Sequence, residues 1–130
     1  MRISNWTKPT KKTMKPEECK QRAKTFAVRV IKLVDSFPNS RSPKVIANQL
    51  LRSGTSVGAN YRAVCCAKSR ADFISKLGTV GEECDETIYW MELLMEAGKM
   101  KAAQLSPLMK EADEIWALVC ASLNTARSRK

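Results

Sequence analysis

The chain has 130 residues, enough for one core that buries roughly two thirds of the surface of its unfolded chain. Only 6% of residues are aromatic, and 5 glycines and 5 prolines are too few for a many-turned sheet protein, so helices are expected. Residues 1–76 hold 17 basic and 4 acidic side chains, net +13, whereas residues 77–130 hold 6 and 9, net −3, so the first half carries a field that attracts polyanions.

The five cysteines, Cys19, Cys65, Cys66, Cys84 and Cys120, are odd in number and sit in apolar-periodic segments. That pattern reads as reduced thiols serving as small core residues in a reducing compartment. No C-x-x-C spacing and no histidine occur, so neither a zinc site nor any other cofactor is expected. The N-terminus has charge without the apolar stretch of a secretory signal. The longest apolar run, Ile115 to Ala121, is far short of the roughly 18 residues of a membrane span. A soluble, cytoplasmic protein with no membrane partner is the expectation.

Residues 1–15 contain Arg2, Lys8, Lys11, Lys12 and Lys15 and no acid, which reads as a flexible basic arm. A first helix is expected from Pro16, with Glu17 and Glu18 complementing its positive end. Its apolar positions Cys19, Ala23, Phe26, Ala27, Val30, Val34 and Phe37 are mostly three or four apart, and Arg22, Lys24, Arg29 and Lys32 lie mainly off that stripe. Phe37-Pro38 ends it, because a residue before proline disfavours the helical region.

Ser42-Pro43 is a cap-plus-first-position signal for a second helix running to about Ala67, with Ile46, Leu50, Val57, Tyr61 and Val64 as apolar positions. Gly54 and Gly58 each cost this helix about 1 kcal/mol relative to alanine, which points to a neighbour packed closely against them. Gln49, Arg52, Ser56 and Asn60, at steps of three, four and four, form a polar ridge expected to meet Glu83 and Glu86 of the third helix or a neighbouring subunit.

Ser69 is placed to cap the third helix, with Asp72 standing in for the longer acid of a capping box. Its stripe of Phe73, Leu77, Val80, Cys84, Ile88, Met91 and Leu94 alternates steps of four and three. Gly98 is placed to close it in a left-handed cap. Ser106-Pro107 opens a fourth helix to about Thr125, striped by Leu108, Ala112, Ile115, Val119 and Ser122. A second edge of Leu105, Met109, Trp116 and Leu123 either faces another subunit or widens the core. The reading is all-α: a basic arm (1–15), one antiparallel up-and-down four-helix bundle (16–126) and a short basic tail (127–130).

Nothing in the pattern supplies chemistry. The di-iron bundles need Glu-x-x-His pairs, and no base stands beside a candidate nucleophile such as Ser53 or Ser56. The run Gly54-Thr55-Ser56-Val57-Gly58 lies within a helix and lacks the lysine of a phosphate-binding loop. A non-enzymatic protein is expected.

Assembled in order, Gln49-Leu50, Arg52-Ser53, Ser56, Ala59-Asn60 and Ala63, then Lys68-Ser69, Asp72-Phe73, Lys76, Glu83, Glu86-Thr87, Tyr89-Trp90 and Glu111-Ala112 form a distributed pattern over about 100 residues. In that pattern the chain resembles the four-helix-bundle family that includes the 23S ribosomal RNA intervening-sequence proteins. A related bundle is the accessory protein of diversity-generating retroelements. The resemblance implies a homo-oligomer, with a ring of five subunits, and a partner of nucleic acid, of a nucleoprotein or of a reverse transcriptase. The residues themselves supply the candidate phosphate contacts: Arg22, Lys24, Arg29, Lys32, Arg41, Lys44, Arg52, Arg62, Lys68 and Arg70. The alternative is a protein–protein assembly module whose basic and acidic halves recognise each other without nucleic acid.

Overall fold

The computed structural model describes residues 15–128, so the expected basic arm lies outside it apart from Lys15, as do Arg129 and Lys130 of the tail. Four helices follow in order: α1 (Pro16–Asp35), α2 (Arg41–Val64), α3 (Arg70–Glu96) and α4 (Ala102–Ser128), with no strand among the described residues. Three connections of five residues each, 36–40, 65–69 and 97–101, join them. Links this short return each helix beside its predecessor. Successive helices pack together and α4 closes back on α1, along the loosest of the four seams. This is the expected up-and-down bundle.

The helix ends show how local sequence sets the boundaries. Pro16 occupies the first turn of α1 with Glu17 and Glu18 behind it. At α3, Ser69 Oγ accepts the Asp72 backbone N–H at 3.0 Å, and the Asp72 carboxylate accepts the Lys68 N–H at 3.0 Å. The carboxylate therefore reaches one residue further back than in a capping box, satisfying the backbone just before the cap. Its Oδ2 also accepts from Lys76 Nζ at 2.8 Å, and this bond, followed by the one from the Lys68 N–H, holds Asp72 below the usual carboxylate range. Gly98, at φ 68, closes α3: its N–H bonds Met95 O and the Lys99 N–H bonds Leu94 O, the paired bonds of a left-handed cap.

Two Ser-Pro signals are displaced in the structure. The cap of α2 is Ser40 rather than Ser42, so Pro43 falls inside the first turn, where its missing N–H still costs nothing. At its other end α2 stops at Val64, three residues before the expected Ala67. The N–H groups of Cys66 and Ala67 bond three residues back, to Ala63 and Val64, so the chain tightens out of the α-helix ahead of Ser69. α4 begins at Ala102, a turn before Ser106-Pro107. Gln104 Oε1 accepts the Lys101 N–H at 3.1 Å to start the helix, and Pro107 lies within it. Ser106 is then an interior residue whose hydroxyl donates to Ala102 O at 2.6 Å.

The core is drawn from the expected stripes: Ala23, Phe26 and Val30; Leu50, Val57 and Val64; Phe73, Leu77, Val80, Cys84, Met91 and Leu94. Leu105 and Leu123 of the second α4 edge are buried and widen it. Cys84 is the buried cysteine. Cys19, Cys65 and Cys120 are half-buried and Cys66 is exposed beyond the end of α2, so the thiols are not uniformly core residues.

The glycines mark the close contacts. A Cβ at Gly54 would stand 2.7 Å from Val30 Cγ2, and one at Gly58 would stand 3.3 Å from Ala23 O. The second contact is to backbone, which cannot rotate away. Replacing Gly58 with leucine should therefore lower stability by on the order of 1–3 kcal/mol. Gly78 has open space around its missing Cβ. Gly78→Ala should instead raise stability by up to about 1 kcal/mol through helix propensity. Urea midpoints of the two variants check both signs; a Gly58→Leu protein as stable as the wild type would contradict the close approach of α1 and α2.

Candidate nucleic-acid interface

The helices divide the charge unequally. α2 carries Arg41, Lys44, Arg52 and Arg62 and no acid, while α3 carries Arg70 and Lys76 against seven acids. Side by side they attract, and part of that attraction is used where they cross.

Three of the ten candidate arginines and lysines hold the bundle together. Arg22 reaches from α1 to α4, where Nε and Nη2 donate to the two oxygens of Glu111 at 2.7 Å each and Nη2 also donates to Glu114 at 2.6 Å. The forked bonds hold Glu111 below the usual carboxylate range and raise the Arg22 guanidinium above its own. Arg29 also lowers Glu111 from nearby. Arg70, at the start of α3, donates to the last-turn carbonyls of Ala126 and Arg127, filling acceptors that the helix itself leaves open.

Arg52 is the third. Its Nη2 pairs with Glu86, its Nη1 stands 3.5 Å from Glu83 Oε2, and its Nε donates to Gln49 Oε1 at 3.1 Å. The Glu86 carboxylate also accepts Trp90 Nε1 at 3.0 Å, and the Trp90 ring meets Tyr89 edge-on with centroids 5.1 Å apart. Beneath this network the Thr87 and Ser53 hydroxyls are hydrogen-bonded to each other at 3.0 Å, both side chains fully buried. Thr87 thus takes a core position that the apolar stripe assigns to Ile88, which is only half-buried. Gln49, Arg52, Glu83 and Glu86 therefore meet within one chain. Ser56 donates back to Arg52 O at 2.7 Å, and Asn60 is half-buried with no side-chain bond to another described residue.

The remaining cations face outward. Lys24, Lys32, Arg41, Lys44 and Arg62 are exposed and form no ion pair with another described residue, whereas Lys68 lies beside Asp72. Sequence reasoning passed over Lys20. It lines a groove of about 300 Å³ along the α1/α2 seam together with Lys24 and Arg62. The four-residue step from Lys20 to Lys24 was visible. The placement of Arg62 across from them depends on how α1 and α2 cross.

Burial pushes the Cys84 thiol up to about 12 and also raises Cys65 and Tyr61, the reverse of what activates a nucleophile. No group of three metal-ligating side chains occurs among the described residues, and no described helix is long and apolar enough to cross a membrane.

Because Glu111 is held below its ordinary 4.5, its stabilising contribution is present above that pH and is lost as pH falls through the lower folded value. Glu111→Gln should cost about 1 kcal/mol at neutral pH, the modest figure expected for a partly exposed pair. The gap from wild type should narrow between neutral pH and an acid pH well below the ordinary 4.5. Urea unfolding at both pH values checks this, and a gap independent of pH would contradict it.

The sequence model of the 23S rRNA-intervening sequence protein family matches residues 15–121. Among solved structures the chain is similar to a protein of unknown function from the S23 ribosomal protein family of Bacteroides thetaiotaomicron. The two share 38% identity and a TM-score of 0.79, over 85% of this chain and 99% of that one. No curated protein matches.

Proposed function

The chain belongs to the 23S rRNA-intervening sequence protein family, and we propose that it is a non-enzymatic, oligomeric helical scaffold that associates with nucleic acid, alone or within a nucleoprotein, through the basic surface of α1 and α2. One observation carries this reading: Lys24, Lys32, Arg41, Lys44 and Arg62 are exposed on two adjacent helices without an ion-pair partner among the described residues, and α2 has no acid to neutralise them. Holding such a surface free of counter-charge costs self-repulsion, which a polyanion relieves. The large exposed apolar side chains of these helices, Val28, Ile31 and Val45, are aliphatic and offer no ring for base stacking. Binding is therefore to the phosphate backbone and independent of sequence.

A second reading is favoured by the other side of the molecule. Glu82, Asp85, Glu92 and Glu96 are exposed along α3, a row of opposite sign to the α1/α2 surface. In an assembly module these two faces join neighbouring subunits without nucleic acid. The exposed Tyr89 on α3 and Val45 on α2 suit such a contact.

Binding of single-stranded RNA and DNA at increasing salt separates the two. If five phosphates are engaged, affinity should fall on the order of a hundredfold between about 50 and about 200 mM salt. Absence of binding at low salt, combined with light scattering that shows salt-sensitive oligomers, would favour the assembly module instead.

A further inference from the structure

The groove along the α1/α2 seam has a construction that the rest of the basic surface lacks. Its floor is small because the helices approach closely at Gly58, where a Cβ would already crowd Ala23 O, and Ala59 continues it. Its walls carry cations from both sides. Lys20 and Lys24 stand one turn apart on α1, about 6 Å along the helix axis, and Arg62 stands across from them on α2. Among the described residues Glu17 is the single acid at the rim; its side chain is 77% exposed and lies 4.0 Å from Lys20 Nζ, a contact that solvent largely screens. Charges of one sign gathered in a cleft with low-dielectric walls focus the field into it.

From these features we infer that this groove is a binding site for a phosphodiester strand, taken up single-stranded by its backbone. The inference rests on the nucleic-acid reading above and gives it a location. A volume of about 300 Å³ admits the phosphates and sugars of one flexible strand, while a duplex, rigid and convex, reaches only the rims. Recognition is by charge. The Thr55 hydroxyl within the groove already donates to Leu51 O at 2.7 Å, and no aromatic side chain among the described residues lines the groove. The two lysines address neighbouring phosphates from one wall, and the guanidinium of Arg62 offers paired donors from the other. RNA and DNA strands should therefore bind about equally.

The test is fluorescence anisotropy with labelled single-stranded RNA, single-stranded DNA and a duplex of the same length, on the full chain, with folding of every variant checked by circular dichroism. Lys24→Gln with Arg62→Gln should weaken single-strand binding about tenfold or more at low salt. Loss of two phosphate contacts should also flatten the log–log salt slope by about 1.4. Lys99→Gln with Lys110→Gln, which removes the same charge from exposed positions elsewhere, should leave the slope unchanged. Ala59→Phe fills the groove without altering charge and should weaken binding severalfold, whereas Glu17→Gln should strengthen it.

If wild type binds but Lys24→Gln with Arg62→Gln loses no more than Lys32→Gln with Lys44→Gln, the groove is overturned and the broader basic surface stands. Tighter binding of duplex than of single strand, a preference between RNA and DNA beyond about tenfold, or unimpaired binding by Ala59→Phe each overturns it as well. If wild type binds no strand even at low salt, the nucleic-acid reading fails and takes the groove with it.

Discussion

The bundle depends on how near α1 and α2 come to each other. At Gly58 a Cβ would press against the neighbouring backbone at 3.3 Å, and at Gly54 the branched side chain of Val30 occupies the space in which a side chain would begin. The helix gives up propensity at both positions and gains a tight crossing in exchange, the arrangement by which small residues let two helical backbones come close. Phe26 and Val30 are then fully buried, and Leu50 and Val57 are buried beside them. The same crossing lowers the floor between two walls of long side chains. Packing and surface shape in this region have one cause.

Where charge is concerned, position within the bundle decides each residue's work. An arginine near a seam meets carboxylates of the next helix and becomes a strut, as Arg22 does between α1 and α4 and Arg52 between α2 and α3. The α1/α4 seam has the least helix packing, and there the forked bonds of Arg22 bind what apolar contact does not. At the α2/α3 seam the struts sit above a buried hydroxyl pair, Ser53 and Thr87, that fixes the register of the crossing. On the outer face of α2, Arg41, Lys44 and Arg62 meet no acid of their own helix, because α2 has none.

Much of this was legible in the sequence, and the failures have physical reasons. Apolar spacing located four helices and most of the core, because burial of one face is what stabilises a helix in a small bundle. Ser69 and Gly98 were read correctly since each signal is local: a hydroxyl within reach of a backbone N–H, and a residue without a Cβ where the chain turns left-handed. The Ser-Pro pairs misled because proline is tolerated anywhere in a first turn and serine also bonds to the preceding turn of a helix interior, so Ser42 and Ser106 fit two positions equally. Charge and position off an apolar stripe identify the ten candidate cations but not their partners. Whether Arg22 or Arg70 is committed depends on Glu111, Glu114 and the end of α4, some 56 to 92 residues away, and no local pattern reports that. Lys20 went unnoticed for the same reason, since Arg62 joins it only across the seam.

Arg70 has a consequence for how the chain is held. The second half is a hairpin of two 27-residue helices fastened at both ends: at one by the left-handed turn at Gly98, and at the other by a guanidinium that grips the last turn of α4 from the first turn of α3. A hairpin pinned at its open end resists fraying at the place where terminal helices ordinarily fray first. α1 and α2 are thus laid against a half-molecule whose own ends are already tied, and the chain can loosen along α1 without α3 and α4 parting.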